Sequence, residues 1–150
     1  MPNDDFQLIR CDESGAPERP SGSLPSEILD ACAATAALYR RTGYIQPWVC
    51  YVAVSDGVPV GGGAFVGPPA YGRVEIAYLT APEFRGRGIA SRTAARLLAI
   101  ARQADPDIAV FAKTPPEETA STAILRRLGF KMIGEVLDED IGKAWRWLIT

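Results

Sequence analysis

The chain has 150 residues, of which 47% are hydrophobic and 23% are charged, a composition typical of one globular domain over residues 1–150. Its 16 basic and 18 acidic side chains give a net charge of −2, which argues against nucleic acid and an anionic membrane surface as partners. The absence of histidine excludes histidine-based catalytic triads and most zinc sites.

The chain begins with a short predicted strand at residues 6–11. Residues 12–26 are rich in Pro, Ser, Gly and acidic side chains, which predicts a loop. Helical spacing of apolar residues then predicts a helix over 26–41. Ser26 is the predicted cap of this helix, and Gly43 lies just past its end.

The rest of the chain alternates between strand-like and helix-like segments. The predicted elements are two strands over 48–67 around a turn at 55–57, a strand over 72–80, a helix after residues 82–88, a strand over 107–113, a helix over 116–130, and two closing strands around a turn at 138–142. Helices between strands predict an α/β (α+β) fold, with a mixed sheet covered on its faces.

Cysteine usage and hydropathy bear on the cellular compartment. Cys11, Cys32 and Cys50 are odd in number and lack C-x-x-C spacing, so they predict neither a disulfide framework nor a metal site. The first ten residues do not read as a signal peptide, and the longest apolar run, residues 48–54, is too short for a bilayer. We therefore expect a cytoplasmic protein without bound metal.

The segment PEFRGRGIASRTAARLLAIARQ, residues 82–103, contains five arginines and no acidic residue after Glu83. A helix that begins here presents unbonded backbone N–H groups and the positive end of its dipole. Gly86 and Gly88 allow a phosphate to approach the backbone closely, and Arg85 and Arg87 add charge. The segment predicts a pyrophosphate site, although a tight turn with solvated arginines is an alternative. Ser91 stands where a dinucleotide motif G-x-G-x-x-G has its third glycine.

Three segments together resemble the GNAT superfamily of N-acetyltransferases. Residues 85–90 are similar to its motif Q/R-x-x-G-x-G/A, and ETASTAILRRLGF, residues 118–130, is similar to N-x-x-S-x-x-x-L-x-K-L-G-F. The ending GEVLDEDIGKAWRWLI, residues 134–149, resembles the branch that includes ribosomal-protein N-acetyltransferases. The resemblance implies a twisted, mostly antiparallel sheet of about seven strands flanked by helices. It also implies transfer of an acetyl group from acetyl-CoA to a primary amine of a small molecule or protein.

The resemblance also implies roles for individual residues. The backbone of Tyr78, Leu79 and Thr80 would bind the acetyl and pantetheine groups, and one N–H there would polarise the thioester carbonyl. The predicted pyrophosphate-binding residues are Arg85, Gly86, Arg87, Gly88, Ile89 and Ala90. Glu75 is the expected general base, acting through water, or else a strand carboxylate paired with Arg73 or facing solvent.

Two positions depart from the family pattern. The tyrosine that many members use as general acid is replaced by Leu125, so Ser121 is the expected hydrogen-bond donor to the cofactor thiol or pantetheine, or else bonds locally within its helix. Glu118 replaces an asparagine and cannot donate hydrogen bonds when ionised. Glu118 would instead favour the N-terminus of its own helix.

Several alternatives remain open at this stage. The chain is alternatively a non-catalytic acyl-CoA-binding or regulatory module, or a transferase that uses another short acyl-CoA. Exposed sheet edges allow a homodimer. The aromatic candidates for an acceptor pocket, each alternatively a core or rim side chain, are Tyr39, Tyr44, Trp48, Tyr71 and Trp145.

Overall fold

A computed structural model describes residues 5–19, 23–139 and 141–150 of the chain. Its strands are β1 (Phe6–Arg10), β2 (Cys50–Ser55), β3 (Val58–Phe65), β4 (Arg73–Thr80), β5 (Ala109–Thr114), β6 (Lys131–Asp138) and β7 (Gly142–Ile149). Its α-helices are α1 (Ser26–Thr42), α2 (Ile89–Ala104) and α3 (Ala120–Leu128). The element order is the one that the sequence predicts.

All seven strands belong to one sheet, in the order β1-β2-β3-β4-β5-β7-β6. The pair β4–β5 is parallel and the other neighbouring pairs are antiparallel. The predicted mixed, mostly antiparallel sheet of about seven strands with flanking helices is therefore confirmed. The central β4 carries branched residues on its core-facing side, where Val74 and Ile76 are almost completely buried.

The helix α2 packs closely on the middle of the sheet. A Cβ atom at Gly63 of β3 would lie 2.6 Å from Cγ2 of Thr93 and 3.0 Å from Cδ1 of Leu97, so glycine lets the helix approach the strand. The pairing of Gly63 with Tyr78 places the Tyr78 side chain on this same face. The helix α3 also contacts α2. The helix α1 lies on the other face, beside Ala64 and Ala77.

Helix starts differ from the predictions in two places. Ser26 does not cap α1: it is the first helical residue, its hydroxyl lies 3.3 Å from Glu27, and Pro25 occupies the cap position without a side-chain hydrogen bond. The second difference is that α3 starts at Ala120 rather than 116. Its start is set by Thr119, which takes an extended backbone and forms a capping box with Thr122.

The turn predicted at 55–57 is confirmed, since Asp56 and Gly57 both have positive φ, 50° and 79°, as a tight hairpin requires. Gly129 ends α3 in the left-handed conformation, as predicted. The predicted loop over 12–26 and the turn over 138–142 include residues 20–22 and 140, which lie outside the described residues.

Candidate functional site

The site is built around a gap between β4 and β5. The two strands pair only from Arg73 to Glu75 of β4, opposite Ala109 to Phe111 of β5. Beyond Glu75, β4 continues to pair with β3 as far as Thr80, while β5 continues with β7. One edge of residues 76–80 therefore faces the gap. The backbone N–H and C=O groups on that edge are not paired with a neighbouring strand of the described sheet.

The direction of the β4 backbone follows from its pairing with β3. The N–H of Val66 donates to the Glu75 carbonyl at 2.8 Å, and the Leu79 carbonyl lies close to Gly61. Backbone groups of successive strand residues point to alternate sides. The main-chain groups of Tyr78 and Thr80 are therefore directed to the gap, whereas those of Leu79 are directed to β3.

The N-terminus of α2 lies at the end of the gap. Gly88 precedes the helix in the left-handed conformation, and no side chain of the described residues caps it. The first intrahelical bond runs from the Arg92 N–H to the Gly88 carbonyl at 3.1 Å. The backbone N–H groups of residues 86–91, which form the α2 turn and the first residues of the helix, donate no hydrogen bond to the backbone of any residue that the structure describes. They are therefore available for a ligand, at the positive end of the helix dipole.

Gly86 and Gly88 give this turn its shape. Their φ angles are 80° and 76°, a conformation that favours glycine. A Cβ atom on either would meet nothing within 4 Å. Crowding by other protein atoms is therefore not the reason for glycine at these two positions. The two positions instead present bare backbone to open space, which is the geometry that suits a bound phosphate group.

The gap and the α2 turn form one cleft of about 590 Å³. Its lining residues are Tyr78, Leu79, Thr80, Phe84, Arg85, Gly86, Gly88, Ile89, Ala90, Ser91, Ala120, Ser121, Ala123, Ile124 and Arg127. The fold thus brings together nine of the ten residues predicted to contact a cofactor. Arg87 is the exception: its guanidinium lies over the Phe84 ring, 5.5 Å from the centroid, and borders a separate pocket.

Inside the cleft, the Tyr78 hydroxyl lies near Ser121, which acts on the Tyr78 pKa. Burial raises the pKa of Tyr78, and the neighbouring Ser121 opposes this effect. The phenol therefore remains protonated at neutral pH and is a proton donor. Sequence reasoning treated Tyr78 only as a backbone contact. Side chains alternate along a strand, so Tyr78 lies on the same side of β4 as the apolar Val74 and Ile76. This alternation is the sequence signal for the direction of the Tyr78 side chain.

Glu75 lies where the gap begins, on the face of the sheet opposite to Tyr78. Its carboxylate pairs with Lys113 at 3.9 Å, and Lys113 also reaches Asp138 at 3.3 Å. Burial raises the pKa of Glu75 above its usual value, and the charge of Lys113 acts in the opposite direction. The partner of Glu75 is thus Lys113 rather than Arg73. A half-buried carboxylate of raised pKa is a stronger base than an exposed one, which suits proton abstraction.

A family model provides the deciding comparison. The model of the acetyltransferase (GNAT) family matches residues 23–130, which is more than half of the chain and includes β4, the α2 turn and α3. The chain belongs to the GNAT acetyltransferase family. No curated protein sequence matches the chain significantly.

Solved structures share this GNAT fold at low sequence identity. RimL, a ribosomal L7/L12 α-N-protein acetyltransferase in complex with coenzyme A, has a TM-score of 0.67 at 19% identity, covering 96% of this chain and 93% of RimL. An N-acetyltransferase from Staphylococcus aureus has a TM-score of 0.65 at 16% sequence identity, and the match covers 97% of this chain and 98% of that protein. The protein yncA of Salmonella typhimurium, with its cofactor acetyl-CoA, has a TM-score of 0.63 at 17% sequence identity, and the match covers 97% of this chain and 93% of yncA.

The departures from the GNAT sequence pattern have a structural basis. Leu125 is fully buried in the core, so its position on α3 does not reach the cleft. Glu118 lies before α3 and forms an ion pair with Arg126. The hydroxyl next to Ser121 comes from β4, not from α3. The phenol that lines the cleft therefore belongs to β4, and α3 contributes none.

The predicted aromatic candidates divide between the core and the surface. Tyr39 is buried, donates to the Cys11 carbonyl at 3.1 Å and accepts from the Cys50 N–H at 2.9 Å. Tyr44, Trp48 and Trp145 pack against the core, and Tyr71 is fully exposed. Within the described ranges, no helix is long and apolar enough to cross a membrane, and no cluster of side chains suits a metal ion.

Proposed function

We propose that this GNAT protein transfers an acetyl group from acetyl-CoA to a primary amine by direct attack of the amine on the thioester. The observation that carries the proposal is the single cleft in which the unpaired edge of β4 meets the uncapped start of α2. The coenzyme A bound to RimL and the acetyl-CoA bound to yncA support this donor.

In this proposal, the α2 turn holds the pyrophosphate. The backbone N–H groups from Gly86 to Ala90 donate to its oxygens, and Arg85 adds a positive charge at the edge of the cleft. Arg87 contributes only through its backbone, since its side chain stacks on Phe84. The pantetheine chain then follows the free edge of β4, where the backbone of Tyr78 and Thr80 supplies hydrogen bonds.

The same edge would stabilise the reacting carbonyl. A backbone N–H of Tyr78 or Thr80, fixed by the sheet before the reaction, donates to the thioester oxygen as negative charge develops there. The Leu79 backbone takes no part, because its groups are directed to β3. This arrangement needs no metal ion and no histidine.

Proton transfer is divided between the two faces of β4. The attacking nitrogen approaches from the face that carries Glu75, which accepts the amine proton through a water molecule. On the opposite face, the Tyr78 hydroxyl, which lies near Ser121, donates a proton to the departing thiolate of coenzyme A. The raised pKa of each group fits its task, since the carboxyl group is a stronger base and the phenol stays protonated.

The setting that we propose is the cytoplasm. The three cysteines, Cys11, Cys32 and Cys50, are free thiols, which fits a reducing compartment. The proposed partners are acetyl-CoA and an amine acceptor.

The test of this function is Glu75→Gln, assayed by thiol release from acetyl-CoA with a panel of amines. We expect kcat/KM to fall about 100-fold with unchanged affinity for acetyl-CoA. In the unmodified protein, kcat/KM should fall as the pH drops through the raised pKa of Glu75, because the base becomes protonated. The part of the fall that is due to Glu75 should disappear in Glu75→Gln, while the part due to protonation of the amine itself should remain.

Other outcomes separate the alternatives. Binding of acetyl-CoA without thiol release for any amine would indicate a non-catalytic module. Faster thiol release from propionyl-CoA than from acetyl-CoA would change the donor. An unchanged rate and pH profile in Glu75→Gln would contradict the assignment of the base.

A further inference from the structure

Two pockets lie on the Glu75 face of the sheet, next to the proposed position of the amine. The apolar pocket, about 310 Å³, is lined chiefly by Ala31, Ala34, Leu38, Ala64, Ala77 and Leu79. The arginine pocket, about 440 Å³, is lined by Val66, Tyr71, Arg73, Glu75, Phe111 and Arg146, among others. Val66 belongs to both pockets, and Leu79 also lines the cofactor cleft. The two pockets therefore adjoin each other, and the apolar pocket also borders the cofactor cleft.

Arg146 in the arginine pocket has a buried donor atom, Nε, which has no hydrogen-bond partner in the described part of the chain. The guanidinium lies over the ring of Phe111, 4.3 Å from its centroid, which fixes its plane and leaves the N–H edge unused. An arginine with an unsatisfied buried donor is costly, and an anion bound by the rest of its guanidinium would offset part of that cost.

Against the larger effect of burial, the charge of Arg146 lowers the pKa of the nearby Glu75, but neither Glu75 nor Asp138 forms an ion pair with Arg146 among the described residues. Lys113 interacts with both Glu75 and Asp138, and the ion pairs found among residues 5–19, 23–139 and 141–150 do not include Arg146. Arg73 lies exposed at the rim of the same pocket. The pocket therefore has more positive than negative charge, and a planar guanidinium is well matched to a carboxylate.

We infer that the acceptor is a free amino acid with an apolar side chain, whose carboxylate binds Arg146 and whose side chain occupies the apolar pocket. This inference rests on the proposed function and specifies the acceptor of the same site. The amine lies between the two subsites, beside Glu75 and at the mouth of the gap. A polyamine or a lysine side chain offers no carboxylate next to the reacting nitrogen and would leave Arg146 without an anionic partner.

The test compares matched acceptors in the thiol-release assay with acetyl-CoA. Leucine is paired with isoamylamine and phenylalanine with phenethylamine, so that each pair differs by the carboxylate alone. We expect kcat/KM to be at least about tenfold higher for each amino acid, mainly through a lower KM, which corresponds to about 1.4 kcal/mol from one charge-assisted contact. Aspartate and spermidine should be poor acceptors.

The variant Arg146→Gln should remove this preference and bring each pair of acceptors to similar kcat/KM. Retained acetyl-CoA binding would show that the variant is folded. The matched control is Arg41→Gln, an exposed arginine in the last turn of α1 that lines neither pocket, and it should keep the preference. Direct titration of the unmodified protein with leucine gives a second readout that does not depend on turnover.

The outcomes separate this inference from the proposed function. Acetylation of amines with no preference for the carboxylate, or a preference that survives Arg146→Gln, would overturn the inference and leave the function intact. A protein that binds leucine but releases no thiol with any acceptor would support the carboxylate site and contradict the proposed function.

Discussion

The helices α2 and α3 both begin at the cofactor cleft, and their first turns are built differently. In α3, Thr119 and Thr122 form a capping box, in which Oγ1 of Thr122 accepts the Thr119 N–H at 2.9 Å. In α2, no side chain caps the first turn, and Gly88 leads into it from the left-handed region. One start is satisfied by its own side chains and contributes stability, while the other is left open for a ligand.

This difference between the two helix starts allows effects on stability to be separated from effects on cofactor binding. Variants at the open start of α2 should change cofactor affinity more than stability. Variants at the closed start of α3 should do the reverse. Tyr78 and Ser121 lie between the two helix starts and should affect the rate instead.

The largest expected effect is that of Tyr78→Phe. Removing the phenol hydroxyl deletes the proposed proton donor but keeps the ring, so kcat should fall about 100-fold while acetyl-CoA affinity stays close to normal. Steady-state kinetics measures this effect. Ser121→Ala, which removes only a hydroxyl near the phenol, should give a smaller loss. A full rate in Tyr78→Phe would exclude Tyr78 as the acid.

A smaller effect is expected for Gly88→Ala. The new methyl group would stand between the backbone and a phosphate, so acetyl-CoA should bind about tenfold more weakly, equivalent to ~1.4 kcal/mol. The matched control is Gly57→Ala, because Gly57 has φ of 79° and open space around its Cβ position, so the backbone strain is similar. Equal loss of affinity in both variants would show that strain, not the ligand contact, is responsible.

The smallest effect is expected at the closed helix start. Thr122→Val keeps the side-chain shape and removes the hydroxyl that bonds to Thr119, so the free energy of unfolding should fall by about 1 kcal/mol. Denaturant titration measures this loss, and acetyl-CoA affinity should not change. Weaker binding with normal stability would contradict the contrast between α2 and α3.

The sequence predicts the order of all ten elements because strand and helix periodicities are local properties of the chain. It predicts the α2 turn for the same reason, since Gly86 and Gly88 are adjacent to the helix they precede. The start of α3 was predicted four residues too early. The capping box of Thr119 with Thr122 decides that boundary, and the acidic residues before it are not helical.

Residues that meet only through sheet pairing were missed. The ion pair of Glu75 with Lys113 depends on the parallel pairing of β4 with β5, and the stacking of Arg146 on Phe111 depends on the pairing of β5 with β7. These partners lie more than thirty residues apart in sequence, so local patterns carry no signal for them. Tyr78 differs, because its side-chain direction follows from the alternation within β4 alone.

The most direct test of the central claim is a calorimetric titration of the protein with acetyl-CoA, repeated with Gly88→Glu. The glutamate would place a negative side chain where the pyrophosphate is proposed to lie, so we expect micromolar affinity in the unmodified protein to weaken at least about 100-fold in the variant. A normal thermal unfolding transition would show that Gly88→Glu is folded. Undiminished binding by Gly88→Glu, or no binding by the unmodified protein at millimolar acetyl-CoA, would contradict the account.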